Sequence, residues 1–300
     1  MQAPFPGRSW AESAREIEAL GYSTLFVPDH FHQGFGPLTG MTAAALATTT
    51  LRVGTLVLAC DFRHPAVLAR ELASIDQFSS GRLEVGLGAG YNPLDYERSG
   101  IPMDPAPVRV DRMIEHATVL RRLFASDEVN FDGEHYHIHQ LDGTPKPFRP
   151  NGPPIIIAGG GKRILRFAAA FADIIGVNPS LKDGRPRSAA AQDSVATRID
   201  EKFSWVRAAS GDRFGDIEFN AWISVAEITN DAQAIVGPMS DRFGGGIDDV
   251  LASPIVLVGS PGEIAERLHE RRERWGYSYI VLPGPKAREF AALVQSLTGT

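Results

Sequence analysis

Three hundred residues, 43% apolar and 22% charged, suffice to bury a large core and fall within the size of one (β/α) barrel. A net charge of -6 and a pI near 5.8 argue against a nucleic-acid-binding face, and no apolar run approaches the roughly 20 residues that span a bilayer. The opening MQAPFPGRSW lacks the basic-then-apolar pattern of a signal peptide, and the lone Cys60 allows no internal disulfide, so a reducing cytoplasm is the expected compartment.

Along the chain, Trp10, Ala14, Ile17 and Leu20 recur at helical spacing after Ser9. Glu12 completes a Ser-x-x-Glu capping box and Gly21 ends the helix. A barrel should open with a strand, yet only residues 1–6, with two prolines, precede this helix. The first strand is therefore expected to be short or missing, through a truncated start or one that lies upstream. Strand-like runs lie at 25–27, 53–58, 83–87, 155–158, 174–177, 217–225 and 279–282. Helical patterns lie between them, for example Val110, Ile114, Ala117, Leu120 and Phe124, or residues 264–275. Such alternation implies parallel strands covered by helices. The expected fold is an α/β eightfold barrel with insertions, one domain over residues 1–300, in preference to a doubly wound open sheet. Cys60, at a strand end, reads as a packed hydrophobe in preference to a nucleophile.

Three stretches depart from the alternation. EVNFDGEHYHIHQLD reads as a β-hairpin turning at Asp132-Gly133, with His135, His137 and His139 on one face. Three imidazoles can bind a metal, but without an evident carboxylate or cysteine partner they read as solvated, and no metal site is expected. The proline-rich TPKPFRPNGPP is a connector, and residues 179–194 read as an inserted, mobile loop. MTAAALATTT, residues 41–50, has side chains small enough for close helix approach, within the chain or between copies.

Chemistry in a parallel barrel gathers where strands end. The run at 25–27 stops at Pro28 and delivers Asp29 and His30. His30 can trade protons near neutrality and Asp29 can accept hydrogen bonds from a ring or sugar. Equally, Asp29 can cap the next loop while His30 packs on it. Gly86-Leu87-Gly88-Ala89-Gly90 is a glycine-rich exit suited to a flat ligand. Its spacing is not G-x-G-x-x-G and no helix is expected immediately after it, so a Rossmann reading fails. Gly159, Gly160 and Gly161 lie between a strand and a helix and read as a phosphate cradle aided by Lys162 or Arg163, the alternative being a tight turn.

GYSTLFVPDH, the segment from GTLVLACDFRHP to GLGAGYN, PPIIIAGGGKRILRFAAAFADII and VGSPGEIAERL occur in an order that resembles the luciferase-like monooxygenase superfamily, particularly its coenzyme F420-dependent oxidoreductases. The resemblance implies a modified barrel holding a flavin-like tricycle at its C-terminal mouth. It places Asp29 near the ring and His30 near the redox centre as acid or base. By the same resemblance Leu56 and Val57 are expected to back the ring and to be joined by a non-prolyl cis peptide. On the resemblance Ala59, Gly88, Ala89 and Gly90 are expected to line the ring and its side chain, while Gly159 and Gly160 receive the phosphate. Sugar-phosphate dehydrogenases of this type place an acidic residue and a tryptophan where this chain has Tyr91 and Gly34, which makes glucose phosphate an unlikely substrate. Tyr91 is a second candidate catalytic residue, hydrogen-bonding to substrate or packing as a lid. The expected activity is hydride transfer between F420 and a small organic substrate. The alternatives are an FMN-dependent monooxygenase served by a separate flavin reductase, and a non-catalytic flavin-binding protein. Relatives suggest a homodimer.

Overall fold

The computed structural model describes residues 1–31, 34–181 and 188–299, in two compact units, residues 1–156 and 157–300. In the first, β1 (Thr24–Val27), β2 (Arg52–Thr55), β3 (Leu58–Ala59) and β4 (Leu83–Gly88) are parallel. β2 pairs with both β1 and β4, and β3 pairs with β4 farther along, with Leu58 opposite Leu87 and Ala59 opposite Gly88. All six residues of β4 are buried, as a parallel strand covered on both faces requires.

The helix Trp10–Ala19 forms as its sequence implies. The Ser9 hydroxyl accepts from the Glu12 N–H while the Glu12 carboxylate accepts from the Ser9 N–H, and Gly21 follows the C-cap at φ 89°. Among the described residues no strand precedes it. The helix Pro37–Ala47 buries Gly40, Met41, Ala44 and Ala45, and the Trp10 indole donates to the Gly40 carbonyl at 2.8 Å, so small residues here serve packing within the chain. Pro65–Phe78 and Ala106–Ala125 complete the helical cover of this unit. The antiparallel hairpin β5 (Glu128–Asp132) and β6 (His137–Asp142) lies outside the parallel set.

Two long apolar runs are each two strands. The run 53–58 breaks into β2 and β3 at Leu56-Val57, whose peptide is cis. There the Thr55 hydroxyl, not its backbone, bonds both the N–H and the carbonyl of Gly86. The run 217–225 breaks where the backbone changes partner: Ile223 N–H donates to Val281, but Ser224 N–H donates to Ile255.

In the second unit β7 (Ile155–Gly159), which begins in the first, is followed in sheet order by β8 (Ile174–Val177), β9 (Glu218–Trp222) and, after β10 (Val225–Ile228) and β11 (Val256–Gly259) in the chain, β12 (Tyr277–Val281). β10 and β11 form their own parallel pair, over a small core of Val236, Phe243, Val250, Ile255, Val256 and Val258. Neither this pair nor strand 256–259 is among the expected elements. Pro261–Trp275 is a capped helix that buries Ile264 and Trp275. Of the expected loop 179–194, residues 182–187 lie outside the described residues. Ser188–Gln192 is helical and Ser194 is fully buried, so this part is not an open loop. No helix among the described residues is long and apolar enough to cross a membrane.

Candidate active site

Pro28 has no N–H with which to extend the β1 ladder, and the two residues that follow part company. The Asp29 side chain is 6% exposed and takes a fork from Arg63: Nη1 donates to Oδ2 at 2.6 Å and Nη2 to Oδ1 at 3.0 Å. Oδ2 also accepts the Ala59 N–H at 3.2 Å. Both oxygens are thus engaged by protein donors, and the carboxylate fastens the β1 exit to the β3 exit. Arg63 is a residue that sequence reasoning missed.

His30 turns the other way. Its Nδ1 lies 2.7 Å from Oδ2 of Asp95, a side chain 4% exposed. The same carboxylate accepts the Phe31 N–H at 3.1 Å and the Asn92 amide at 3.0 Å. His30 Nε2 faces the Tyr91 hydroxyl at 3.5 Å, with the two rings edge to face, 5.8 Å between centroids. Burial, and then the charge of Asp95, raises the Tyr91 pKa, so its hydroxyl keeps its proton at neutral pH. Phe31, Tyr91 and Leu94 are large apolar side chains left exposed around this group. Asp95 too was missed. It sits in the first turn of the short helix Pro93–Ser99, opened by Asn92 as N-cap and Pro93 at the first position. That helix corrects the expectation that none follows the glycine exit.

The glycines of that exit make room for protein atoms. A Cβ on Gly86 would stand 2.1 Å from the Thr55 carbonyl oxygen, and one on Gly88 2.6 Å from Val57 Cγ2. Gly90, at φ 71°, leaves no space between its Cα and the Tyr96 hydroxyl, which would lie 1.8 Å from a Cβ. Tyr96 in turn donates to Asp61 at 2.7 Å, and Arg112 donates to the other oxygen of Asp61. Arg109 donates to the carbonyls of Ala89 and Gly90. A buried polar lattice therefore holds the turn that carries Tyr91. Leu56, Val57, Ala89 and Gly90 remain half-buried, while Ala59 is buried.

In the second unit Gly159 and Gly160 also abut protein. A Cβ on Gly159 would meet Ile164 at 2.8 Å, and one on Gly160 would meet Ser180 N at 2.4 Å. Gly161 differs: nothing lies within 4 Å of a Cβ there, and it caps the ten-residue helix Lys162–Phe171 without a side-chain cap. The 178–180 segment is held by Lys202, wholly buried, whose ammonium donates to the carbonyls of Asn178 and Asp193 and to Asp193 Oδ2.

The remaining candidates are structural. Cys60 is buried, and burial pushes its thiol pKa up, leaving no accessible thiolate. His137 pairs with Asp132 at 2.6 Å and is exposed, as is His139, while His135 is half-buried. No group of three or more His, Cys, Asp or Glu among the described residues could hold a metal ion. His116, fully buried against the Tyr136 ring, has its pKa lowered to about 3, chiefly by burial and then by the charges of His64 and Arg63.

Comparison with known proteins bears on this arrangement. Residues 1–209 match the family model described as luciferase-like monooxygenase. An F420-dependent glucose-6-phosphate dehydrogenase from Intrasporangium calvum is 24% identical, over 94% of this chain and 90% of that protein. Another from Amycolatopsis mediterranei is 30% identical, over 68% of this chain and 67% of its own. The crystal structure of the monooxygenase RslO1 from Streptomyces bottropensis superposes with a TM-score of 0.73 at 24% identity, covering 96% of this chain and 92% of that one. The family match takes in the β1 exit with Asp29 and His30, the glycine exit of β4 and the run Gly159–Gly161. The chain therefore belongs to the luciferase-like monooxygenase family, and its fold is the α/β barrel of that family.

Proposed function

We propose that this enzyme is an oxidoreductase that moves a hydride between the deazaflavin cofactor F420 and a small organic substrate. The observation that carries the reading is the His30 imidazole at the β1 exit, one nitrogen on a buried carboxylate and the other facing Tyr91. Storage of a cofactor needs no such group, whereas hydride transfer leaves a proton to be placed. The F420-dependent relatives support the cofactor assignment.

The residues present suit such a group. Leu56, Val57, Ala89 and Gly90 offer a half-exposed, uncharged shelf in the first unit for a flat ring. In the second unit, Gly161 offers open space at a helix N-terminus without a side-chain cap, suited to a phosphate. When bound, F420 supplies the two-electron hydride chemistry. Asp29 acts through the backbone: by fastening Ala59 and Arg63 it holds the β3 exit against β1. His30 Nε2 takes the proton that the substrate loses with its hydride, or returns it in the reverse direction. The protonated Tyr91 hydroxyl donates a hydrogen bond beside it.

Gly34 and Tyr91 set this chain apart from the sugar-phosphate enzymes. Gly34 has φ 83° and a Cβ there would fall 2.3 Å from the Gln2 carbonyl oxygen, so a tryptophan has no place in this backbone. The proposal is accordingly of a substrate other than glucose phosphate, with residues 1–300 as a single domain, acting as a cytoplasmic homodimer.

The second reading is an FMN-dependent monooxygenase with a partner flavin reductase, whose monooxygenase part is supported by the family match over residues 1–209. Titration of the purified protein with F420 and FMN separates the two. Tight FMN binding with oxygen consumption overturns the proposal. On the F420 reading, His30→Ala lowers turnover by roughly a hundredfold or more with cofactor affinity held within about twofold. Unchanged turnover removes His30 from the chemistry.

A further inference from the structure

We propose that Asp95 is the positioning residue of His30: it fixes the neutral imidazole with its proton on Nδ1 and so turns the Nε2 lone pair toward Tyr91 and the substrate. The inference rests on the reading of His30 as the proton carrier and adds the group that makes it one.

The hydrogen-bond inventory dictates the tautomer. Asp95 accepts from the Phe31 N–H on Oδ1 and from the Asn92 amide on Oδ2, the role of an ionised carboxylate, which has no proton to give. Its contact with His30 Nδ1, at 2.7 Å, is then short and charge-assisted, with the imidazole as donor. A neutral imidazole carries one ring proton, so a proton on Nδ1 leaves Nε2 as the acceptor. Nε2 is the nitrogen that faces the Tyr91 hydroxyl. The opposite tautomer sets the Nδ1 lone pair against a carboxylate oxygen at 2.7 Å, a repulsive contact in a place almost without solvent.

The carboxylate is itself held fast. Asp95 lies one turn into Pro93–Ser99, where Asn92 both caps the helix and donates to the carboxylate. The next residue, Tyr96, fills the space that the missing Gly90 side chain leaves and bonds Asp61. By gripping the Phe31 N–H, Asp95 also fixes the backbone on the far side of His30. The imidazole is thus clamped at its ring and at the next peptide, and the clamp is remote in sequence from the strand that delivers it. A positioning carboxylate of this kind governs rate through geometry and tautomer, without touching substrate.

The test is carried out on the full chain labelled with 15N-histidine at alkaline pH, where imidazoles are neutral. The His30 signal is assigned by its loss in His30→Gln. In the unsubstituted protein, Nδ1 should carry the proton and Nε2 should be unprotonated. Asp95→Asn, whose amide can donate, should shift the population toward Nε2–H. It should lower kcat about 10- to 1,000-fold while KM and cofactor affinity stay within about twofold. An Nε2–H tautomer in the unsubstituted protein overturns the proposal, whether or not the variant folds. So does an Asp95→Asn protein with unchanged tautomer and rate, even if His30→Ala is inactive; the reading of His30 then stands alone. A tautomer that shifts in Asp95→Asn, with turnover unaffected there and in His30→Ala, upholds the positioning role and removes His30 from catalysis.

Discussion

Arg63→Met isolates the structural half of the Asp29–His30 doublet. The substitution keeps an apolar stem of similar length and deletes the two donors at 2.6 and 3.0 Å. Asp29, 6% exposed, is left with the Ala59 N–H alone, at 3.2 Å. Opposite charges about 4 Å apart attract by about 4 kcal/mol at an effective dielectric of 20. Orphaning one partner of a buried pair costs about 3–5 kcal/mol. Arg63 is a quarter exposed, so water reaches the vacated position and the lower end of that range, about 3 kcal/mol, is expected. The assay is a double-mutant cycle read by urea unfolding. Asp29→Asn with Arg63→Met removes the stranded charge and should lie within about 1.5 kcal/mol of the unsubstituted protein, more stable than Arg63→Met alone. Either a neutral Arg63→Met or a strictly additive double variant refutes the view that the pair acts as one buried unit.

Two further substitutions probe other buried titratable side chains. His116 is neutral in the folded protein down to about pH 3, whereas an unfolded histidine binds a proton near pH 6.5. The unfolded state therefore holds the extra proton between these values. Folding stability from this site is complete above about pH 6.5 and falls by up to about 1.4 kcal/mol per pH unit on acidification toward pH 3. His116→Gln should flatten that slope in urea midpoints measured across the window, and an unaltered slope refutes the assignment. In the second unit, Lys202→Met leaves the carbonyls of Asn178 and Asp193 without this donor, with an expected loss of about 3 kcal/mol in the same assay. A midpoint within experimental error of the unsubstituted protein refutes the clamp.

The framework was legible where one residue pattern has one physical meaning. Residues 83–87, with Leu83, Val85 and Leu87 in alternation, and the apolar run 174–177 are both strands buried along their length. The Ser9–Glu12 box and Gly21 mark helix ends because capping is local. Runs 53–58 and 217–225 misled because side-chain pattern does not record a change of hydrogen-bond partner: Leu56 and Val57 are as apolar as the strands they separate, and the switch from Val281 to Ile255 between Ile223 and Ser224 is made by backbone N–H groups. The partners of the site were hidden by distance, since Arg63 lies 34 residues from Asp29 and Asp95 lies 65 from His30. For Asp95 a signal existed. Asn92-Pro93 is an N-cap followed by the residue best suited to the first helical position, and it announces a helix whose first turn carries a carboxylate back over the glycine exit.

The acid and the base delivered together at the end of β1 meet different partners. Once Pro28 ends the β1 ladder, the next two side chains take different partners. One is bound by a guanidinium from the segment after β3, the other by a carboxylate from the segment after β4. Each titratable residue thus meets a partner of complementary hydrogen-bonding capacity, supplied by a different neighbouring exit. The acid is spent on architecture. On the proposed reading the base keeps one nitrogen for chemistry while the other meets Asp95, so the adjacent Asp-His pair makes two separate contacts and is not a dyad.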